Sequence, residues 1–288
     1  MDDLHQALHW LPLDEGQVRC ELCPHKCRIA PGRSGICRAR KNIGGCLVAW
    51  SYGKITSLSL DPIEKKPLFR FHPGSRILSA GSFGCNFRCS FCQNWTLSQQ
   101  EAEWRQIQPD ELAALARKTV PQGNIGAAFT YNEPLVSYEY VLDCSRLIRQ
   151  AGLQNVLVTN GFINPDPLEE LLPWIDALNI DLKSWDPDFY RRICGGEIEA
   201  VKATIARCAR TCHVEITTLL IPGLNDAEKD IQALAAWLAS IDRTIPLHLT
   251  RYHPDYKMKE PVPIGLARMQ QLADLARRDL RDVFLGNV

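Results

Sequence analysis

From Arg76 onward, short apolar runs alternate with longer stretches that carry apolar residues along one helical face. The runs Ile77–Ser82, Ile125–Thr130, Val156–Thr159, Ala177–Asp181, Val214–Leu220 and Pro246–Leu249 have the length and continuity of buried strands. Between and after them lie Pro109–Thr119, Val136–Ala151, Ile198–Arg210, Ala227–Ser240 and Ile264–Arg278, amphipathic at helical period. Strand-then-helix repetition predicts a parallel sheet. About six units in residues 76–288 suit an α/β fold of the partial (β/α)6, TIM-like barrel type better than a full eight-stranded one. Residues 1–75 lack the repetition; they read as a small Cys-rich metal-binding segment and linker.

Parallel barrels gather their reactive groups at the C-terminal ends of the strands. The polar segments expected there are the loop at Cys85, Asn132-Glu133-Pro134, Thr159-Asn160-Gly161, Asp181-Leu182-Lys183, and His248, placed after the sixth strand. These segments should converge.

Composition narrows the class. Lys plus Arg (33) balances Asp plus Glu (33), which argues against a generic nucleic-acid binder or a protein held to acidic membranes. No apolar run approaches the roughly 20 residues of a membrane helix, and the N-terminus has neither the basic start nor the apolar stretch of a signal peptide. A cytoplasmic protein is expected. In such a reducing compartment twelve cysteines point to metal or cluster ligation rather than a disulfide framework.

Cys85, Cys89 and Cys92 form a C-x3-C-x2-C loop. Thiolates ligate iron–sulfur clusters, and a cubane normally takes four. Three from one loop leave an iron open to chelate the amino and carboxylate groups of a substrate. Gly81 and Gly84 would permit close backbone approach, and Phe87 and Phe91 would keep water away. The plainer alternatives are zinc, which would want a fourth ligand nearby, or three buried structural cysteines.

The C-x3-C-x2-C loop between strand and helix, with the aromatic Phe91 before the last cysteine, resembles the radical S-adenosylmethionine superfamily. Gln93-Asn94-Trp95 resembles its branch of pyruvate formate-lyase activating enzymes. Asp61-Pro62-Ile63-Glu64-Lys65-Lys66-Pro67-Leu68, Phe71-His72-Pro73-Gly74-Ser75, Thr130-Tyr131-Asn132-Glu133-Pro134, Val158-Thr159-Asn160-Gly161, Asp181-Leu182-Lys183 and Ile221-Pro222-Gly223-Leu224-Asn225-Asp226 resemble the radical enzyme of the AmmeMemoRadiSam system. The resemblance runs from about Cys20 to Asn287.

The resemblance implies a [4Fe–4S] cluster on Cys85, Cys89 and Cys92 that binds S-adenosylmethionine. It implies an oxidoreductase that cleaves this cofactor reductively to a 5′-deoxyadenosyl radical. Asn132 and Glu133 stand where the activating enzymes carry Gly-Gly-Glu-Pro, which grips the methionine ammonium; a carboxylate capping a helix start is the alternative for Glu133. Lys183 is implied to reach the cofactor carboxylate, with Asp181 near a cation, or the two form a structural ion pair. The matching cation site elsewhere uses an Asp-Thr pair, where this chain has Val158-Thr159. His248 is implied to lie near the ribose, and Thr217 and Leu219 toward the adenine edge.

In the leader, Cys20, Cys23, Cys27 and Cys37 offer four thiolates among turns shaped by Pro24, Gly32 and Gly35. They suit a structural zinc or a second iron–sulfur cluster. Their spacing does not match the two-cluster ferredoxin run, so no motif supports electron relay. His25 and Cys46 stay outside the ligand set.

The favoured function is a glycyl-radical-enzyme activase, with an electron donor such as flavodoxin or ferredoxin and a protein substrate. The alternative is a radical enzyme acting on a small molecule or another macromolecule. A non-enzymatic metal or redox sensor would need no cofactor pocket.

Overall fold

The structure, a computed structural model, describes residues 4–288. Its main sheet has eight strands in sequential spatial order: β1 (Ser57–Pro62), β2 (Arg76–Gly81), β3 (Asn124–Phe129), β4 (Gln154–Thr159), β5 (Ala177–Asp181), β6 (His213–Leu220), β7 (Leu247–Arg251) and β8 (Val283–Gly286). Strands β2 to β8 run parallel, and β1 pairs antiparallel with β2. Central strands such as β3 and β5 are buried along nearly their whole length, as a sheet covered on both faces requires. Helices Pro109–Lys118, Tyr138–Gln150, Pro165–Leu171, Ile198–Cys208, Glu228–Asp242 and Leu266–Ala276 supply the cover. The first starts on Pro109 behind a capping box, with the Gln108 N–H donating to Glu111 at 2.7 Å, which satisfies a backbone group left orphaned at the helix start.

The sheet adds two edge strands to the six expected from the sequence. One of them, β1, comes from the leader, so part of residues 1–75 belongs to the main sheet. The rest of the leader forms a three-stranded sheet of Trp10–Pro12, Val18–Cys20 and Arg28–Ile29, and a hairpin of Arg40–Ile43 with Cys46–Ala49. It is fastened to the barrel by Arg40, whose guanidinium pairs with Glu139 at 1% exposure of each side chain.

Segment Ile63–Phe71 enters the barrel from the end where the strands begin. Asn179 donates to the Pro67 carbonyl at 2.9 Å, and Glu215 accepts from the N–H groups of Phe69 and Arg70 at 3.0 and 2.7 Å. Lys66, 1% exposed, reaches Asp61 at 2.8 Å, and the Tyr131 hydroxyl donates to the same carboxylate at 2.6 Å. These donors outweigh burial and hold the Asp61 carboxyl well below its ordinary range. This end of the barrel is closed.

Candidate active site

The cysteine loop follows β2 directly. Gly84, at φ +89°, sits where an added Cβ would meet the Cys37 carbonyl at 2.4 Å, so this backbone crossing admits only glycine. The Arg88 and Ser90 N–H groups donate to the Cys194 and Ile193 carbonyls at 2.7 and 3.3 Å. Phe87 and Phe91, both buried, pack on Phe162 and Phe189 at ring-centroid distances of 5.0 and 5.8 Å. The three thiols are near enough for Cys85 to feel both others and Cys92 to feel Cys89.

Glu133 follows β3 and lies buried at the start of the turn Pro134–Ser137. It accepts from Thr159 Oγ1 at 2.6 Å, the Asn160 N–H at 2.7 Å and the Leu135 N–H at 3.0 Å. It therefore caps the turn, as the plainer reading foresaw, and also ties the end of β4 to it. A carboxylate has about four lone-pair sites, so one acceptor position is left for a further donor. Burial pushes the Glu133 carboxyl up to about 7, against these donors. Asn132, beside it, spends its amide on the backbone: it donates to the Phe83 and Gly84 carbonyls at 3.1 Å and accepts from the Ser82 N–H at 3.0 Å.

Lys183, one residue beyond Leu182 at the end of β5, donates to Asp181 at 3.0 Å. Asp181 and the neighbouring thiols Cys89 and Cys194 outweigh burial and raise Lys183 well above its ordinary value. The same ammonium lies over Phe91, 5.9 Å from the ring centroid. The strand-end segments thus meet at one place: the Glu133 N–H donates to the Gly84 carbonyl at 3.3 Å, Asn160 joins the Glu133 carboxylate to Cys85, and Lys183 lies over Phe91 between Cys89 and Cys92.

The other predicted residues are placed differently. His248 does not follow its strand; it is the second residue of β7, buried, with Nε2 2.6 Å from Glu215 and its ring against Phe69 and Phe284. A buried carboxylate in mid-strand needs such a partner, and this draws the histidine toward the closed end. Thr217 donates to Asn179 at 2.9 Å, and Leu219 is half-buried two residues on. The four leader cysteines line one cavity.

Two neighbours complete the site: Asn160, from a segment expected at the strand ends, and Cys194, which sequence reasoning left out. Asn160 donates to Asn86 at 2.8 Å and approaches Cys85 Sγ at 3.6 Å; Cys194 packs against Cys89 from a turn far along the chain. Of these, only Asn160 carried a signal, its place directly after β4.

Whether the residues suit an iron–sulfur cluster rests on the donor set. Three soft thiol donors come from one loop, with a cation beside them to balance their charge, and that fits. Among the described residues, no three His, Cys, Asp or Glu side chains are grouped so as to hold a single metal ion.

The profile of the Radical SAM superfamily matches residues 81–235. An uncharacterized protein of Methanocaldococcus jannaschii is 40% identical over 99% of this chain and 86% of its own length. The pyruvate formate-lyase-activating enzyme of Clostridium pasteurianum is 26% identical over 62% of this chain and 80% of its own, and GTP 3′,8-cyclases match over a comparable share of the chain. Among solved structures, a domain of the pyruvate-formate lyase-activating enzyme of Bacteroides vulgatus superposes with a TM-score of 0.50 at 28% identity, covering 56% of this chain and 99% of that domain.

Proposed function

The chain belongs to the Radical SAM superfamily, an enzyme family using a [4Fe–4S] cluster and S-adenosylmethionine, and from that premise we propose that it activates a partner by abstracting hydrogen from a protein glycine. Cys85, Cys89 and Cys92 would hold the cluster. When bound, the pair supplies one-electron cleavage of S-adenosylmethionine to methionine and a 5′-deoxyadenosyl radical. Glu133 keeps one acceptor position toward the methionine ammonium, and Lys183 offers its ammonium to the methionine carboxylate, both charge-assisted contacts. Phe87 and Phe91 keep water from the thiols. Because segment Ile63–Phe71 closes the opposite end, substrate reaches the site from the C-terminal strand ends.

The observation that carries the reading is that Glu133, through Asn160, and Lys183, through Phe91, are brought to the cysteine loop from separate strand ends. Similarity to activating enzymes favours a protein glycine as the hydrogen donor. Similarity to the cyclases favours a small molecule, the second reading. An external electron donor is required, and a flavodoxin or ferredoxin fits that need. Anaerobic incubation of the reconstituted protein with S-adenosylmethionine, reductant and candidate glycyl-radical enzymes should give 5′-deoxyadenosine and a glycyl-radical spectrum. 5′-Deoxyadenosine without a protein radical would overturn the activase reading and favour the second.

A further inference from the structure

We propose that Asn160 is a positioning residue for the central cluster: its side-chain amide donates to the Cys85 sulfur and raises the reduction potential at which the cluster takes up its electron. The neighbours leave that amide one orientation. Asn160 Oδ1 accepts from the Phe162 N–H at 2.8 Å, and Nδ2 donates to Asn86 Oδ1 at 2.8 Å. Asn86 gives its own Nδ2 to the Phe162 carbonyl at 2.7 Å, so its oxygen is the atom that faces Asn160. Turning either amide over would set donor against donor and acceptor against acceptor. The second N–H of Asn160 Nδ2 is thereby aimed at Cys85 Sγ, 3.6 Å away.

The pair is built into the interior. Asn86 is 2% exposed and Asn160 4%, and Gly161, at φ +69°, turns the chain directly after it. The backbone of Asn160 serves a different group, its N–H donating to Glu133 at 2.7 Å. A substitution at this position therefore removes the contact to sulfur and leaves the backbone contact to Glu133 in place. The Phe87 N–H also reaches Cys85 Sγ, at 3.3 Å, but it belongs to the cysteine loop itself. Asn160 brings the second donor from the end of β4.

A neutral thiol is a weak acceptor, so this contact gains little while the cysteine is protonated. With Cys85 as a cluster thiolate the same contact becomes charge-assisted, and a site shielded from water strengthens it further. Hydrogen bonds to the sulfurs are among the terms that set the potential of an iron–sulfur cluster. The direction follows from charge. Reduction adds an electron to the cluster and its thiolates, so a donor at Cys85 stabilises the reduced form more than the oxidised one. The assignment rests on the ligand set proposed above.

The test is a redox titration of full chains reconstituted anaerobically with iron and sulfide, wild type against Asn160→Leu. Leucine has a similar size and cannot donate. Iron content should match wild type, and the midpoint potential should fall by about 59 mV or more, the shift that corresponds to a tenfold loss in a one-electron reduction equilibrium. If Asn160→Leu holds less iron, Asn160→Ser, which is too short to reach the sulfur, decides by the same titration. A potential equal to or above wild type in a variant with full iron would overturn the proposal. Loss of the cluster in both variants would overturn it too, since the residue would then be structural. Failure of the ligand set looks different: C85A/C89A/C92A would keep the wild-type iron content.

Discussion

Glu133→Gln isolates what the carboxylate does, because the side chain keeps its shape and loses one acceptor oxygen. At pH 8, above the value of about 7 to which burial pushes it, the wild-type group is ionised and takes all three donors. In the variant, an amide nitrogen must face either the Asn160 N–H or the Leu135 N–H and Thr159 hydroxyl. The hydroxyl can turn away; a backbone N–H cannot. One buried donor is left unpaired, at a cost of about 1–3 kcal/mol, and each kcal/mol lowers the melting temperature of a domain this size by about 2–4 °C. The acceptor for the cofactor ammonium is lost with it, which weakens binding roughly tenfold to a hundredfold. Thermal melting, iron content and S-adenosylmethionine affinity of the reconstituted protein are the measurements. Iron should stay, since Glu133 is no ligand in this scheme. Wild-type melting would refute the capping argument, and wild-type affinity the cofactor contact.

Lys183→Ala should likewise weaken S-adenosylmethionine binding about tenfold to a hundredfold with iron retained; wild-type 5′-deoxyadenosine yield at limiting cofactor would refute the pocket. Gly84→Ala combines a left-handed φ with a Cβ placed 2.4 Å from the Cys37 carbonyl. It should lower stability by at least about 1–3 kcal/mol, and a denaturant midpoint equal to wild type would show that the leader does not press on the loop. Burial alone would raise Glu215, but the donors from His213, His248, Arg70 and Phe69 prevail and hold it down to about 2. A depressed carboxyl contributes stability above its unfolded value and loses it as pH falls through the folded one, here between about 4.5 and 2, for about 3 kcal/mol. Glu215→Gln should flatten acid unfolding in that window; an unchanged profile would place the pH dependence elsewhere.

The six strands expected from the sequence are all present because buried parallel strands announce themselves as continuous apolar runs. The two extra strands give weaker signals: Ser57–Pro62 alternates polar and apolar residues as an edge strand does, and Val283–Gly286 is only four residues long. The cysteine loop was legible because its spacing is local. Asn160 was legible as part of a strand-end segment, but Cys194 was not, since only the fold carries it to a residue 105 positions earlier in the chain. His248 was misplaced for want of its partner. A glutamate in the apolar run Val214-Glu215-Ile216 was the available clue, because a charge in a buried strand demands an answering group nearby.

That same glutamate explains why so much polarity in this barrel does no chemistry. Asp61, Lys66, Asn179, Glu215 and His248 are buried, yet each is spent on another of these residues or on the backbone of Ile63–Phe71. An ion pair such as Asp61–Lys66 gains little net stability once desolvation is counted, but removing one partner would strand a charge. The network therefore fixes where segment Ile63–Phe71 sits more than how tightly it is held. With that end closed by directional bonds, the reactive groups are confined to the opposite face. There Glu133 and Lys183 are differently placed: each packs at the cysteine loop, through Asn160 and Phe91, and Glu133 keeps an acceptor position that no protein donor fills. The division follows the polarity of parallel strands, whose beginnings carry stability and whose ends carry function.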